Sequence, residues 1–138
     1  MPAEQRHFDG GLEQMGDVRG WLEERLRAER VAAAEVDALL LAFTEAYTNV
    51  LRHAYHGLLP APLEIELCIS PAQVVLVLRD QGEPFQPEHT TAPDPEELAE
   101  GGYGLFLIEA LMDEVRYSPA GEVGTVLRLT KQRAPICT

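Results

Sequence analysis

One stretch of this 138-residue chain carries the side chains best suited to chemistry, Glu45 and Asn49. Apolar residues recur at helical spacing from Phe43 to His56, which predicts one helix with a core-facing stripe. Its other side carries Glu45, Asn49, Arg52 and His56, spaced i, i+4, i+7 and i+11. A carboxylate one turn before a carboxamide can take a proton or aim a water, and the amide oxygen can ligate a hard cation such as magnesium. Taken alone, the pattern is also typical of a solvated polar face.

A second motif follows a predicted strand and reads Asp80-Gln81-Gly82-Glu83-Pro84-Phe85. A carboxylate at a strand end, followed by a glycine turn, can accept a hydrogen bond from an exocyclic amine. The same letters are also common in ordinary turns, which is the alternative interpretation.

A third motif, Gly101-Gly102-Tyr103-Gly104-Leu105, stands just before an apolar helical segment. Glycines at a helix start let backbone amides approach an anion, and the helix dipole favours negative charge there. The motif is not a Walker loop and lacks the strand-first context of a dinucleotide fingerprint. A flexible hinge is the alternative interpretation.

The elements that must position these motifs follow from periodicity and turn residues. The long loop from 86 to 100 holds three prolines and five acids, which is typical of a lid or binding loop. Strict alternation predicts a strand over Leu63–Ile69, and a continuous apolar run predicts a central strand, covered on both faces, over Val74–Leu78. The remaining predictions are a short edge strand (Arg6–Asp9), helices over Leu12–Arg30, Glu35–His56 and Leu105–Met112, a second hairpin (Val115–Ser118 with Val123–Thr130), and a frayed tail from 132 to 138. Together these elements predict an α+β fold. It is a two-layer α/β sandwich with a mixed, mostly antiparallel sheet and helices on one face.

Composition narrows the class of protein. A length of 138 residues fits one domain, spanning 1–138. The net charge of −12 argues against a nucleic-acid partner, and no apolar run is long enough to cross a membrane. Cys68 and Cys137 have neither metal-site nor redox spacing, and no export signal is visible, so we expect free thiols in the cytoplasm.

In this order and at these spacings, the three motifs resemble the N, G1 and G2 boxes of the histidine-kinase-like ATPase (GHKL) superfamily. The chain resembles most its anti-sigma-factor serine kinases, the RsbW/SpoIIAB type. The match includes Glu45-Ala46-Tyr47-Thr48-Asn49 with His53-Ala54-Tyr55, the glycine motif continuing as Leu105-Phe106-Leu107-Ile108, and a closing Gly124-Thr125. The resemblance covers about residues 8 to 131.

The resemblance implies the Bergerat ATP-binding fold and a role for each matched position. Asp80 would accept the adenine amino group, supported by Gly82 and Thr125, and Asn49 would ligate Mg²⁺ at the phosphates of ATP. Glu45 would be the catalytic base that takes the proton from a substrate hydroxyl. The other residues expected at the nucleotide are Arg52, His53, Pro84, Phe85, Gly101, Gly102, Tyr103, Gly104 and Leu105.

The resemblance also implies partners: a STAS-domain anti-anti-sigma protein as phosphate acceptor, a sigma factor that is captured, and a homodimer formed through the sheet edge. The function expected is therefore an ATP-dependent protein serine/threonine kinase that regulates transcription as an anti-sigma factor.

One departure leaves an alternative open. Phosphoryl transfer needs positive charge near the γ-phosphate, yet residues 81 to 115 include no Lys or Arg. Arg52 could reach a phosphate or form a structural ion pair, and His53 could be a packing residue. A non-catalytic switch that captures partners in a nucleotide-dependent way is therefore the second interpretation. The third interpretation, a gyrase-like ATPase, is disfavoured because no transducer region follows. The fourth interpretation is a domain that keeps the fold but binds no nucleotide.

Overall fold

A five-stranded sheet with three helices on one face makes up the part of the chain that the structure, a computed structural model, describes: residues 4–84 and 103–134. The strands lie in the order β1-β2-β3-β5-β4, and all four pairings are antiparallel. Their bounds are β1 Glu4–Asp9, β2 Pro62–Ile69, β3 Gln73–Asp80, β4 Glu114–Pro119 and β5 Thr125–Gln132. The two-layer α+β sandwich is confirmed, although the described strands include no parallel pair that would make the sheet mixed.

The helices pack on the inner face through regular apolar stripes. Helix α1 (Leu12–Ala28) buries Val18, Leu22 and Leu26, which are spaced four residues apart. Helix α2 (Ala33–Asn49) is the central helix and buries Phe43, Ala46 and Tyr47 among others. Helix α3 (Tyr103–Leu111) packs beside α2 and contributes the fully buried Ile108.

Helix α2 does not continue in the same geometry to His56, as its apolar pattern predicted. From Val50 to Ala54 the backbone forms a π-helical turn, in which the Tyr55 amide donates to the Val50 carbonyl at 3.2 Å. His56 and Gly57 then take positive φ angles of 52° and 75°, and the Gly57 amide bonds to the Leu51 carbonyl at 2.8 Å. Glycine at 57 therefore ends the helix as expected.

The central strand β3 alternates, rather than being buried on both faces. Its inward residues Val74, Leu76 and Leu78 are buried beneath the helices, while Val75 and Val77 on the opposite face are only half-buried. The continuous apolar run was therefore misleading, because valines stand on both sides of a sheet that has helices on one side alone.

The tail predicted to fray from residue 132 is anchored as far as the structure describes it. The Arg133 guanidinium donates to the carbonyls of Ser70 and Glu29 at 2.8 and 3.0 Å, and the Ala134 amide bonds to the buried Glu35 carboxylate. Residues 135–138, like the lid expected at 86–100, lie outside the described residues.

Candidate functional site

Asp80, the last residue of β3, is a buried carboxylate with a surface exposure of 4%. It occupies the inward register of the strand, opposite Leu63, so its side chain points beneath the helices. The Gly82 amide donates to its Oδ1 at 3.0 Å, and the Thr125 amide donates to it as well. Burial raises the pKa of Asp80, and these two amides partly offset that rise. A carboxylate held this way keeps acceptor capacity for a further donor.

A cavity opens beside Asp80 between the end of α2 and the inner face of β4 and β5. Four of its lining residues, Asn49, His53, Asp80 and Thr125, were predicted as site residues from the sequence. Five more complete the wall: Ala46, Val50, Ala54, Tyr117 and Leu127. The cavity encloses about 30 Å³, well below the several hundred Å³ of typical ligand pockets. The nucleotide expected from the sequence would need a wider cavity than this one.

The five wall residues were missed because the motifs name polar positions, whereas the wall is mainly apolar. The alternation of the strands could have found two of them, since Tyr117 and Leu127 face each other on the inward side of β4 and β5. Burial, together with the nearby Glu109 carboxylate, raises the pKa of Tyr117. Its phenol is therefore neutral, and its ring adds an aromatic surface to the cavity.

Two glycines allow the backbone to close tightly around Asp80. A β-carbon on Gly82 would overlap the Ala54 carbonyl oxygen, and one on Gly124 would overlap the Asp80 carbonyl oxygen. Gly124 also has a φ of 91°, which disfavours any other residue. Gly82, predicted to support a bound base, thus has a packing reason to be glycine.

The end of α2 is joined to the segment that follows Asp80 by three polar contacts. The Glu83 amide donates to the Ala54 carbonyl at 2.8 Å, and the Gln81 amide donates to the Tyr55 hydroxyl at 2.8 Å. The His56 Nε2 lies 2.5 Å from a carboxylate oxygen of Glu83. These contacts fix Asp80 relative to Asn49.

The residues of the predicted helix face are divided between two cavities. Asn49 and His53 line the cavity of Asp80, whereas Arg52 and His56 line a separate, open cavity of about 840 Å³. This second cavity also has Leu12, Leu58 and Leu59 in its wall, each about 70% exposed (69%, 71% and 70%). Arg52 therefore does not line the cavity of Asp80, and its expected contact with a phosphate stays a prediction.

Glu45 lies half-buried on α2, one turn before Asn49, and it is not among the residues that line the Asp80 cavity. Its carboxylate makes no hydrogen bond or ion pair with residues 4–84 or 103–134. His53, which does line that cavity, has its pKa lowered by burial and by the charges of Arg52 and His56. The imidazole is therefore neutral at neutral pH.

The structure describes only part of the glycine motif, for which a phosphate contact was expected. Phe85, Gly101 and Gly102 lie outside the described residues, Tyr103 and Gly104 open α3, and Leu105 is half-buried in its first turn. Pro84 is exposed. The described ranges include no cluster of three His, Cys, Asp or Glu side chains able to hold a metal on its own. They also include no helix long and apolar enough to span a membrane.

Comparison with protein families gives a match to the histidine kinase-like ATPase domain over residues 8–131. The serine-protein kinase RsbW of Oceanobacillus iheyensis is 34% identical over 105 residues, which is 70% of this chain and 65% of the relative. RsbW of Bacillus subtilis is 31% identical over 109 residues, covering 70% and 64%. An anti-sigma F factor of Bacillus cereus is 34% identical over 104 residues, covering 70% and 69%.

A solved structure of the RsbU and RsbW domains of a Mycobacterium tuberculosis protein has the same fold, with a TM-score of 0.70 and 20% identity. The likeness covers 98% of this chain and 34% of that one. The aligned region thus spans about 65% of the RsbW relatives' length, while the fold likeness takes in nearly all of this chain.

Proposed function

Because the chain belongs to the family of histidine kinase-like ATPase domains, we propose that it binds ATP and transfers the γ-phosphate to a serine or threonine of a partner protein. The whole chain, 1–138, acts as one nucleotide-binding domain with the lid at 86–100. The buried, amide-held carboxylate of Asp80 carries the proposal. A buried anion is unfavourable unless donors pair with it, and an adenine amino group is a donor that would add to the two amides.

The residues around Asp80 fit the rest of a nucleotide. Tyr117, Leu127 and Val50 offer apolar surface to the flat base, and Thr125 adds a hydroxyl at the same end. Asn49 lies on the α2 side of the cavity. Its amide oxygen is the ligand we assign to Mg²⁺, which usually needs only one or two protein ligands beside phosphates and water. The bound ion would neutralise phosphate charge.

The position of Glu45 favours phosphoryl transfer as the function, rather than nucleotide binding alone. It is one helical turn from Asn49, and its carboxylate has no partner within the described residues. We propose that Glu45 is the general base. It takes the proton from the acceptor hydroxyl while the hydroxyl oxygen bonds to the γ-phosphorus and ADP leaves. Two relatives are named serine-protein kinase RsbW, and this name agrees with the phosphoryl transfer that we propose.

The partners we propose follow from the relatives named RsbW and anti-sigma F factor. A sigma factor is captured, and a STAS-domain protein accepts the phosphate, in the cytoplasm. Phosphorylation of the STAS-domain protein and capture of the sigma factor would then compete for one nucleotide-dependent surface. Phosphorylation would control transcription in this way.

Calorimetry tests ATP binding. Mg-ATP should bind the wild type, and Asp80→Asn should weaken binding by at least about tenfold, since the site's acceptor becomes partly a donor. Asp17→Asn on the exposed face of α1 removes an equal charge and should bind as the wild type does. Equal binding by the Asp80 variant would refute the assigned site.

Transfer of labelled phosphate from ATP to the STAS partner tests the kinase. Glu45→Gln should reduce transfer by about 10²–10⁴-fold while leaving ATP affinity within about twofold, and the exposed Glu24→Gln variant is the matched control.

The absence of Lys and Arg from 81 to 115, together with Arg52 in a separate cavity, favours a second candidate, the non-catalytic switch. ATP binding with no transfer in any variant would establish it.

A further inference from the structure

His56 and Glu83 form a contact between the end of the helical segment and the turn that follows Asp80. The His56 Nε2 lies 2.5 Å from a carboxylate oxygen of Glu83, although both side chains are mostly exposed, at 60% and 64%. A separation this short requires a proton on Nε2, because an ionised carboxylate can only accept. The contact is therefore a hydrogen bond in which the imidazole donates, whether the ring is neutral or charged.

The backbone at His56 has a conformation that few residues with a β-carbon adopt. Its φ angle is 52°, just beyond the π-helical turn at Val50–Ala54 and before Gly57, whose φ is 75°. The chain turns at this point, and the His56 side chain lies outside the helical segment, against the turn that follows Asp80. Asparagine tolerates the same conformation, but its side chain does not extend as far as Nε2 of a histidine.

Glu83 belongs to the short segment that donates a hydrogen bond to Asp80. The Glu83 amide donates to the Ala54 carbonyl at 2.8 Å, and the preceding Gly82 packs against the same carbonyl. The Gly82 amide in turn donates to the Asp80 Oδ1 at 3.0 Å. A displacement of Glu83 would therefore move the amide that holds the Asp80 carboxylate.

Other groups that carry charge surround His56. Arg52 and Glu13 of α1 line the same open cavity as His56. Burial, together with the charges of Arg52 and His56, lowers the pKa of His53. Glu83 is the carboxylate in contact with the His56 ring. Because a histidine changes charge between about pH 5 and pH 8, the attraction within the pair increases as the ring takes up a proton.

We propose that His56 and Glu83 are a positioning pair, which orients the Asp80 carboxylate through the Gly82 amide and tightens when His56 is protonated. This inference rests on the proposed function, in which Asp80 accepts the adenine amino group. A carboxylate that is already held in place loses less freedom when a ligand binds, so the pair raises nucleotide affinity. That gain is present at acidic pH and is lost as pH rises through the range in which histidine gives up its proton.

Calorimetry with Mg-ATP at about pH 6 and about pH 8 tests the proposal. His56→Asn keeps the backbone conformation without reaching Glu83, and Glu83→Gln keeps an acceptor without its charge. At about pH 6 each variant should bind about two- to fivefold more weakly than the wild type, as expected for an exposed ion pair. The ratio of wild-type to variant affinity should fall towards one at about pH 8.

The ratio isolates the pair from the other groups that titrate. Asp80, His53 and the nucleotide gain or lose protons in the variants as in the wild type, so their effects largely cancel at each pH. The double variant should bind no more weakly than either single variant, because both substitutions remove one contact. His7→Asn is the matched control, since His7 Nδ1 lies 3.9 Å from a Glu64 carboxylate oxygen in a similar pair between β1 and β2. It should bind as the wild type does at both pH values.

Hydrogen exchange of the Gly82 amide, measured by NMR without nucleotide, separates this inference from the proposed function. At about pH 6 the amide should exchange about two- to fivefold faster in both variants than in the wild type. If the wild type binds no Mg-ATP, the proposed function is wrong, and the exchange rates alone decide whether the pair holds the turn. An unchanged exchange rate, affinity ratios of one at about pH 6, ratios that do not depend on pH, or additive losses in the double variant would each overturn the proposal. Circular dichroism confirms that each variant is folded, and Glu83→Gln keeps the test valid if His56→Asn is unstable.

Discussion

The binding role proposed for Asp80 comes with a penalty in stability. Its carboxylate is buried against apolar neighbours, and burial raises its pKa despite the two amides that donate to it. The raised pKa means that the folded chain binds a proton at Asp80 more tightly than the unfolded chain does. The stability that comes from protonation is present below the unfolded pKa and is lost as pH rises through the folded pKa.

Asp80→Asn should therefore make the protein more resistant to urea at neutral pH, while it loses ATP binding. Asparagine keeps an acceptor for Gly82 and avoids burying a charge. The gain in free energy of unfolding should shrink as pH falls into the acidic range, where the wild-type carboxyl is also neutral. Urea titrations at several pH values measure this, and a variant less stable than the wild type at neutral pH would contradict it.

The backbone of Asp80 packs directly against Gly124. Gly121 and Gly124 both have positive φ, but a β-carbon at 121 meets nothing within 4 Å, whereas one at 124 overlaps the Asp80 carbonyl. Gly121→Ala should cost about 1 kcal/mol in unfolding free energy from backbone strain alone. Gly124→Ala should cost about 1–3 kcal/mol more from overpacking. Urea titration measures both losses, and calorimetry should show that ATP affinity falls only for the Gly124 variant.

At the scale of elements, the helical segment ends in a π-helical turn at Val50–Ala54, and Val50, His53 and Ala54 of this turn line the Asp80 cavity. The sequence could not predict it, because its apolar pattern fits an uninterrupted α-helix equally well. The turn is held by contacts from a distant strand end: Gly82 packs on the Ala54 carbonyl, and the Glu83 amide bonds to it. Arg52, within this turn, and His56, beyond it, line the other cavity.

Tyr55 connects the end of the helical segment to strand β2 and to the residue that follows strand β3. Its hydroxyl donates to the Pro62 carbonyl at 2.6 Å and accepts from the Gln81 amide at 2.8 Å. Tyr55→Phe should cost about 1–2 kcal/mol in unfolding free energy and reduce ATP affinity several-fold, because the residue after Asp80 loses its anchor.

Tyr47→Phe is the matched control for this loss. The Tyr47 hydroxyl donates to the Gly11 carbonyl at 2.6 Å, outside the Asp80 cavity. This variant should lose similar stability with unchanged ATP affinity. Equal effects of both variants on affinity would show that Tyr55 has no special positioning role.

At the scale of the molecule, the order of elements and the sandwich were predictable, because strand alternation and helix stripes survive in the sequence. The strand β2 is the clearest case, with Leu63, Ile65 and Leu67 all inward. Asn49, His53, Asp80 and Thr125, all expected as site residues from the family motifs, line one cavity. The apolar wall of the cavity was not predictable, because it depends on register between strands distant in sequence.

The far end of the molecule gives a whole-chain prediction. Arg133 connects three segments there, bonding to Ser70 in the β2–β3 turn and to Glu29 after α1. Arg133→Ala should cost about 1–3 kcal/mol in unfolding free energy with no change in ATP affinity. Arg19→Ala, an exposed arginine of α1, should cost less than about 0.5 kcal/mol. Urea titration and calorimetry on both variants measure this.

The same anchor has a practical use. Because β3 runs from the Arg133 end to Asp80, the last described residues leave the molecule at the pole opposite the Asp80 cavity. A fluorophore or surface tether joined beyond Ala134 would therefore hold the protein by its base and leave the mouth of the cavity facing solution. Immobilised in this way, the chain would keep the proposed nucleotide site accessible for binding measurements.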